Sequence, residues 1–282
     1  MNDNNNIPAE ALDEIASRVS RRRLELIASG LHDRDRAILQ GLQESRFMTS
    51  KHISRQHFEP DHANPTAAQR AANRAMHKLQ GYDLATTIYR RVGGAKGGSS
   101  GFVWSLTPTG HRLLGLDSGS QPRKRNFEPS QRFVEHTLAV SDLHVQILGM
   151  EGVALSDVQF EPDCWRGYTG RHGVRQQLKP DLYAVTSDGE YEDLWFFEID
   201  LNTEAPSRVV SKCEQYQEYY RSGIEQEKHG VFPAVVWVVP NPKRKATLQS
   251  HVRQSVNIAD KGIFTFVLPD ELDALIRKGA GA

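Results

Sequence analysis

Cysteine is scarce in this chain: two occur among 282 residues, Cys164 and Cys213, and they form no CxxC or zinc-ligand pattern. No N-terminal signal sequence is evident, so the expected setting is reduced and cytoplasmic. No apolar run approaches the ~20 residues needed to span a bilayer, which excludes a membrane-spanning helix. The glycine-rich GGAKGGSSG stretch lacks the GxxxxGK[ST] spacing, which excludes a nucleotide-binding P-loop. Net charge is also missing, since 35 Lys and Arg balance 35 Asp and Glu. The balance hides an asymmetry. Residues 1–125 hold 19 of the basic and 12 of the acidic residues, a surplus of 7 positive charges that the remainder reverses. A basic front half suits a polyanion partner, and an acidic back half suits a metal site.

What is present reads as a soluble composition, 38% hydrophobic and 25% charged, with length for about two domains. Apolar periodicity predicts helices over 9–29, 34–45, 51–57 and 67–80, the last capped by Thr66. Along 67–80, Ala68, Ala72, Ala75, Met76 and Leu79 form a packing face. Arg70, Arg74 and Lys78 lie four apart on another, with Gln69 and Asn73 beside them, as a DNA recognition helix requires. Two β-prone runs, 84–92 and 102–106, flank the glycine-rich tip and predict a hairpin that carries Arg90, Arg91 and Lys96. Helices followed by a two-stranded wing describe a winged helix. The expected divisions are a helical arm over 1–30, a winged-helix DNA-binding domain over 31–116, a linker over 117–130, and an α/β domain with a mixed sheet over 131–282.

In the back half, 132–150 reads as a helix bearing Glu135 and His136, and 153–160 as a strand closed by Glu161. Residues 163–178 read as a basic excursion. The segment from Lys179 to Tyr220 organises the rest. It reads as a strand over 182–186, a turn at Ser187–Asp188–Gly189, a strand over 194–199 and then a helix. Such a hairpin brings Asp181 and Glu198 toward one end of the sheet. Residues two apart on a strand share a face, so Asp200 is expected beside Glu198. Carboxylates meeting at a strand end suit a hard cation, Mg²⁺ or Mn²⁺. On the following helix, Glu204, Arg208, Lys212 and Tyr216 recur every four residues.

The motifs LHDRDRAILQGL, FVWSLTPTGHRLL, HTLAVSDLHV, LKPDLYAV and FFEIDLNTE, with the Lys212/Tyr216 pair, resemble the replication-relaxation family of plasmids and mobile elements. The PD and E-x-D pieces resemble the PD-(D/E)XK nuclease superfamily. The resemblance implies a restriction-endonuclease-like α/β fold behind the winged helix. It implies a metal-dependent endonuclease or relaxase that nicks DNA at a plasmid or mobile-element origin during replication or conjugative mobilisation. It further implies metal ligands Asp181 and Glu198, with Asp200 and Glu135 as further candidates, and catalytic partners Lys212 and Tyr216. Asp200 stands where the superfamily places its lysine. A second reading follows from that departure, a replication or transcription regulator whose nuclease fold is silent. The sequence leaves the oligomeric state open, a homodimer included.

Overall fold

The β-prone runs of the sequence pair with one another in two sheets. In the computed structural model, which describes residues 19–90, 101–118, 129–170, 173–189 and 191–281, the chain separates into two compact units, Met1–Glu128 and Pro129–Ala282. The whole is a mixed α/β protein. No helix among the described residues is long and apolar enough to cross a membrane.

The first unit holds α1 (Arg21–Ser29), α2 (Asp33–Ser45), β1 (Met48–Thr49), α3 (Ser50–His57), α4 (Pro65–Gly81), β2 (Ala85–Arg90), β3 (Phe102–Leu106) and α5 (Pro108–Ser118). The helix expected over 9–29 is described only from Arg21, and its Leu24 and Ile27 belong to the same core as Ile38, Leu42, Met76 and Trp104. Helix α4 is capped by Asn64, whose side chain accepts from the Thr66 N–H at 2.7 Å, with Pro65 preset in the first turn. Thr66 is therefore inside the helix and not its cap. The hairpin β2–β3 is antiparallel, with an irregularity between Thr87 and Tyr89. A third strand, β1, pairs with β3 to give the order β1-β3-β2, an addition that two residues of sequence could not announce.

The second unit holds α6 (Gln131–Leu148), β4 (Ala154–Phe160), β5 (Arg166–Thr169), β6 (Arg175–Leu178), β7 (Leu182–Ser187), β8 (Glu192–Ile199), α7 (Pro206–Ser222), α8 (Ile224–His229), β9 (Ala234–Val238), α9 (Pro242–Gln254), β10 (Phe264–Val267) and α10 (Leu272–Lys278). Five strands form one mixed sheet in the order β10-β9-β8-β7-β4, antiparallel from β4 to β8 and parallel from β8 to β10. The basic excursion over 163–178 is a separate two-stranded hairpin, β5–β6. Between β7 and β8, Gly189 takes φ +98°, which the tight turn needs and other residues resist.

Strand alternation decides which side chains meet. On β8, Leu194 and Phe196 face the core shared with Val209, Cys213 and Tyr216 of α7, while Trp195, Phe197 and Ile199 face Val140, Leu143 and Ile147 of α6. Each fully buried aromatic here stabilises the unit by roughly 1.5–3 kcal/mol. Glu198, two beyond Phe196, therefore turns toward α7. So does Asp181, two before Tyr183.

Candidate functional site

Register builds the centre of the site. Leu182 pairs with Phe197 on antiparallel strands, so the next residues outward, Asp181 and Glu198, stand opposite one another on one face. The Asp181 N–H donates to the Phe197 carbonyl at 3.1 Å, which carries the ladder through that position. Both carboxylates are buried, Glu198 to 1% and Asp181 to 8% exposure. They border a cavity of about 600 Å³ together with His136, Arg208 and Lys212.

Every oxygen of the pair has a protein donor. The Tyr216 hydroxyl donates to Glu198 Oε1 at 2.6 Å, and the Lys212 ammonium is hydrogen-bonded to Oε2. Asp181 Oδ2 accepts from the Ile199 N–H at 2.7 Å, and Oδ1 lies 3.2 Å from His136 Nε2. Two like charges this close and this dry perturb one another. Burial, opposed by Lys212 and reinforced by Asp181, pushes the Glu198 carboxyl up to about 8. Burial also opposes the Asp181 charge, but Lys212, His136 and the Ile199 N–H outweigh it and hold that carboxyl below its usual range. For His136, burial favours the neutral ring, and the Asp181 contact overrides it and raises the pKa. Burial and then Glu198 raise the Tyr216 phenol well above its usual range, so it stays a donor.

Of the other expected residues, Asp200 borders the same cavity but is already engaged, and Glu135 lies outside it. Strand β8 ends at Ile199, and the Asp200 carboxylate is gripped by Arg244 of α9, Nε to Oδ2 at 2.7 Å and Nη2 to Oδ1 at 2.8 Å. Arg244 also donates to the Glu204 carbonyl at 2.8 Å, so this fork fixes the segment that leaves β8. Glu135 does not reach the cavity: it is exposed and accepts from Gln131 at 2.8 Å, while its neighbour His136 occupies the place expected for it. No group of three or more His, Cys, Asp and Glu side chains among the described residues is arranged to hold a metal ion. The set of four carboxylates thus reduces to one facing pair. Arg244 was invisible to sequence reasoning, because nothing local connects it to a carboxylate 44 residues earlier.

On α4 the donor-rich face is smaller than expected. Lys78 turns inward, its ammonium 2.6 Å from the buried Asp35 carboxylate. The Gln69 amide is spent on the Ser50 carbonyl and on Asn73, each at 3.2 Å. Arg70 and Arg74 remain exposed on one side of the helix. The Arg90 side chain, Arg91 and Lys96 lie outside the described residues.

No curated protein and no solved structure matches this chain. The replication-relaxation family does match it, over residues 39–235, a span that holds Asp181, Glu198, Asp200, Lys212 and Tyr216. That family carries with it a role in plasmid or mobile-element replication and interaction with DNA. Since the match runs over well more than half of the sequence, the chain belongs to the replication-relaxation family.

Proposed function

We propose that the second unit carries a divalent-cation-dependent phosphodiester site and that the first unit, a winged helix, presents the DNA through Arg70 and Arg74 of α4. The observation that carries this reading is the facing pair Asp181 and Glu198 at a cavity edge, with Lys212 bonded to one of them. The donor set fits a hard cation. Each carboxylate oxygen uses one lone pair on a protein donor and keeps another, and a bound cation would offset the burial that raises the Glu198 pKa.

Asp181 and Glu198 would hold Mg²⁺ or Mn²⁺, which supplies an activated water and neutralises phosphate charge. The chain's own groups divide the remaining work. Lys212, whose ammonium is bonded to Glu198 and kept protonated by the neighbouring carboxylates against the pull of burial, would supply a cation to a phosphate entering the cavity. His136 holds a proton at Nε2 beside Asp181 and can pass it to a leaving oxygen at the cavity edge. Tyr216, wholly buried, orients Glu198 and is not placed to attack phosphorus. In this arrangement the restriction-endonuclease-like lysine role passes from the Asp200 position to Lys212. Asp200 serves through Arg244 by fixing the exit from β8.

Incubating supercoiled plasmid that carries the element's own origin with the protein and Mg²⁺ or Mn²⁺ tests this. The wild type should convert it to the open circular form, and Asp181→Ala should reduce the rate by at least 100-fold. Intact plasmid with wild type, or equal nicking by the variant, would remove the enzyme reading. A second reading, a DNA-binding regulator with a silent centre, is favoured by one observation: each carboxylate oxygen already has a protein partner. Under it, origin binding persists and neither metal yields nicks.

A further inference from the structure

A second, larger depression of about 1080 Å³ adjoins the carboxylate cavity and shares Glu204, Arg208 and Lys212 with it. Its floor is one face of α7, marked by Arg208, Ser211, Gln215, Glu218 and Arg221. One wall is the β5–β6 hairpin, tied to the floor by the Gln215 amide donating to the Gln177 carbonyl at 3.2 Å. The other is the segment after α9, tied by the Asn257 amide donating to Glu214 at 3.0 Å. From Arg208 to Arg221 the floor runs about 20 Å, and it is a single helix wide, roughly 10 Å.

The charges in this trough do not cancel. Of the acidic groups, Glu204 lies 3.5 Å from Arg132, while Glu214 is held by Ser255 and Asn257 and Glu218 by the Tyr168 hydroxyl at 3.3 Å, bonds that fix these two without removing their charge. Among the described residues, Lys179, Arg208 and Arg221 show no carboxylate within ion-pair distance, and all three are exposed. Lys179 sits 4.3 Å over the Trp165 ring, which positions its ammonium without neutralising it. Amides of Gln176 and Gln177 line the same wall, and Val256, 94% exposed, offers an apolar lip.

We infer that this trough is a track for one extended polynucleotide strand, which Lys179, Arg208 and Arg221 hold by its phosphates and deliver past Arg208 to Asp181 and Glu198. Unpaired cations spaced along a narrow floor match a single backbone, and the width of one helix between two raised walls does not admit a duplex. The inference rests on the proposed phosphodiester site for its direction and adds the strandedness of the substrate.

The test is binding without cleavage, so it stands apart from the nicking assay. Fluorescence anisotropy in EDTA would compare a labelled twelve-residue oligothymidylate with a labelled duplex, using the full-length chain. Arg208→Ala/Arg221→Ala should weaken single-strand binding at least tenfold and lower the salt slope by ~1.4, the contribution of two phosphate contacts. Duplex affinity should change less than twofold, and Arg208→Lys/Arg221→Lys should restore most of the loss. Unchanged single-strand binding in the double alanine variant, or an equal loss for duplex, would overturn the proposal. Both arginines are exposed, and an unaltered melting temperature verifies that the variant is folded.

Discussion

Glu198 is buried between an acidic neighbour, Asp181, and a cationic one, Lys212. Its carboxyl ordinarily titrates near 4.5 and is pushed up to about 8 in the fold. The folded state therefore binds a proton that the unfolded chain has released between those two values. By linkage, its contribution to stability is fully present below about 4.5 and is lost as pH rises through about 8. Glu198→Gln, which keeps the shape of the neutral acid, should match the wild type near pH 5. It should melt several degrees higher near pH 8.5 in EDTA, and thermal melts across that range check this. A variant that loses stability equally at both pH values would mean that the glutamate is charged throughout. Asp181 runs the other way, since its lowered value adds stability that is lost on acidification.

Among elements, α5 comes very close to the backbone at Leu84, the residue before β2. A Cβ built on Gly110 would stand 2.1 Å from the Leu84 carbonyl oxygen, a backbone atom that cannot swing aside. Gly110→Ala should cost the first unit about 1–3 kcal/mol or more by overpacking, visible as a lowered melting temperature. The elements also divide by how plainly the residues announce them. LYAVTS and LWFFEI alternate or crowd apolar side chains and are flanked by a glycine turn, so both β7 and β8 fall where expected. The strands RGYT and RQQL have almost no apolar pattern and pair chiefly with each other, so they read as loop. Helix α8, six mostly polar residues, was lost for the same reason. At the site, Asp181, Glu198 and Lys212 were legible because strand and helix periods place them. Arg244 and the inward turn of Lys78 depend on distant partners that no local period encodes.

At the scale of the whole molecule, charge separates along the chain, with the surplus of 7 positive charges before residue 126. Arg70→Glu/Arg74→Glu should weaken binding to duplex DNA across sequences and lower the salt slope by about 2. Filter binding at several salt concentrations measures it, and an unchanged slope would show that α4 does not face phosphate. The Arg244 fork has a consequence in time. Asp181, Glu198, Asp200 and Lys212 all precede the arginine that neutralises Asp200. A chain that ends after β9 lacks both Arg244 and the helix that carries it, so Asp200 loses its guanidinium partner and the bond that ties the Glu204 carbonyl to α9. The exit from β8 cannot settle until α9 has been synthesised and docked. A chain truncated before α9 would thus carry Asp181 and Glu198 without the Arg244 fork that holds the exit from β8.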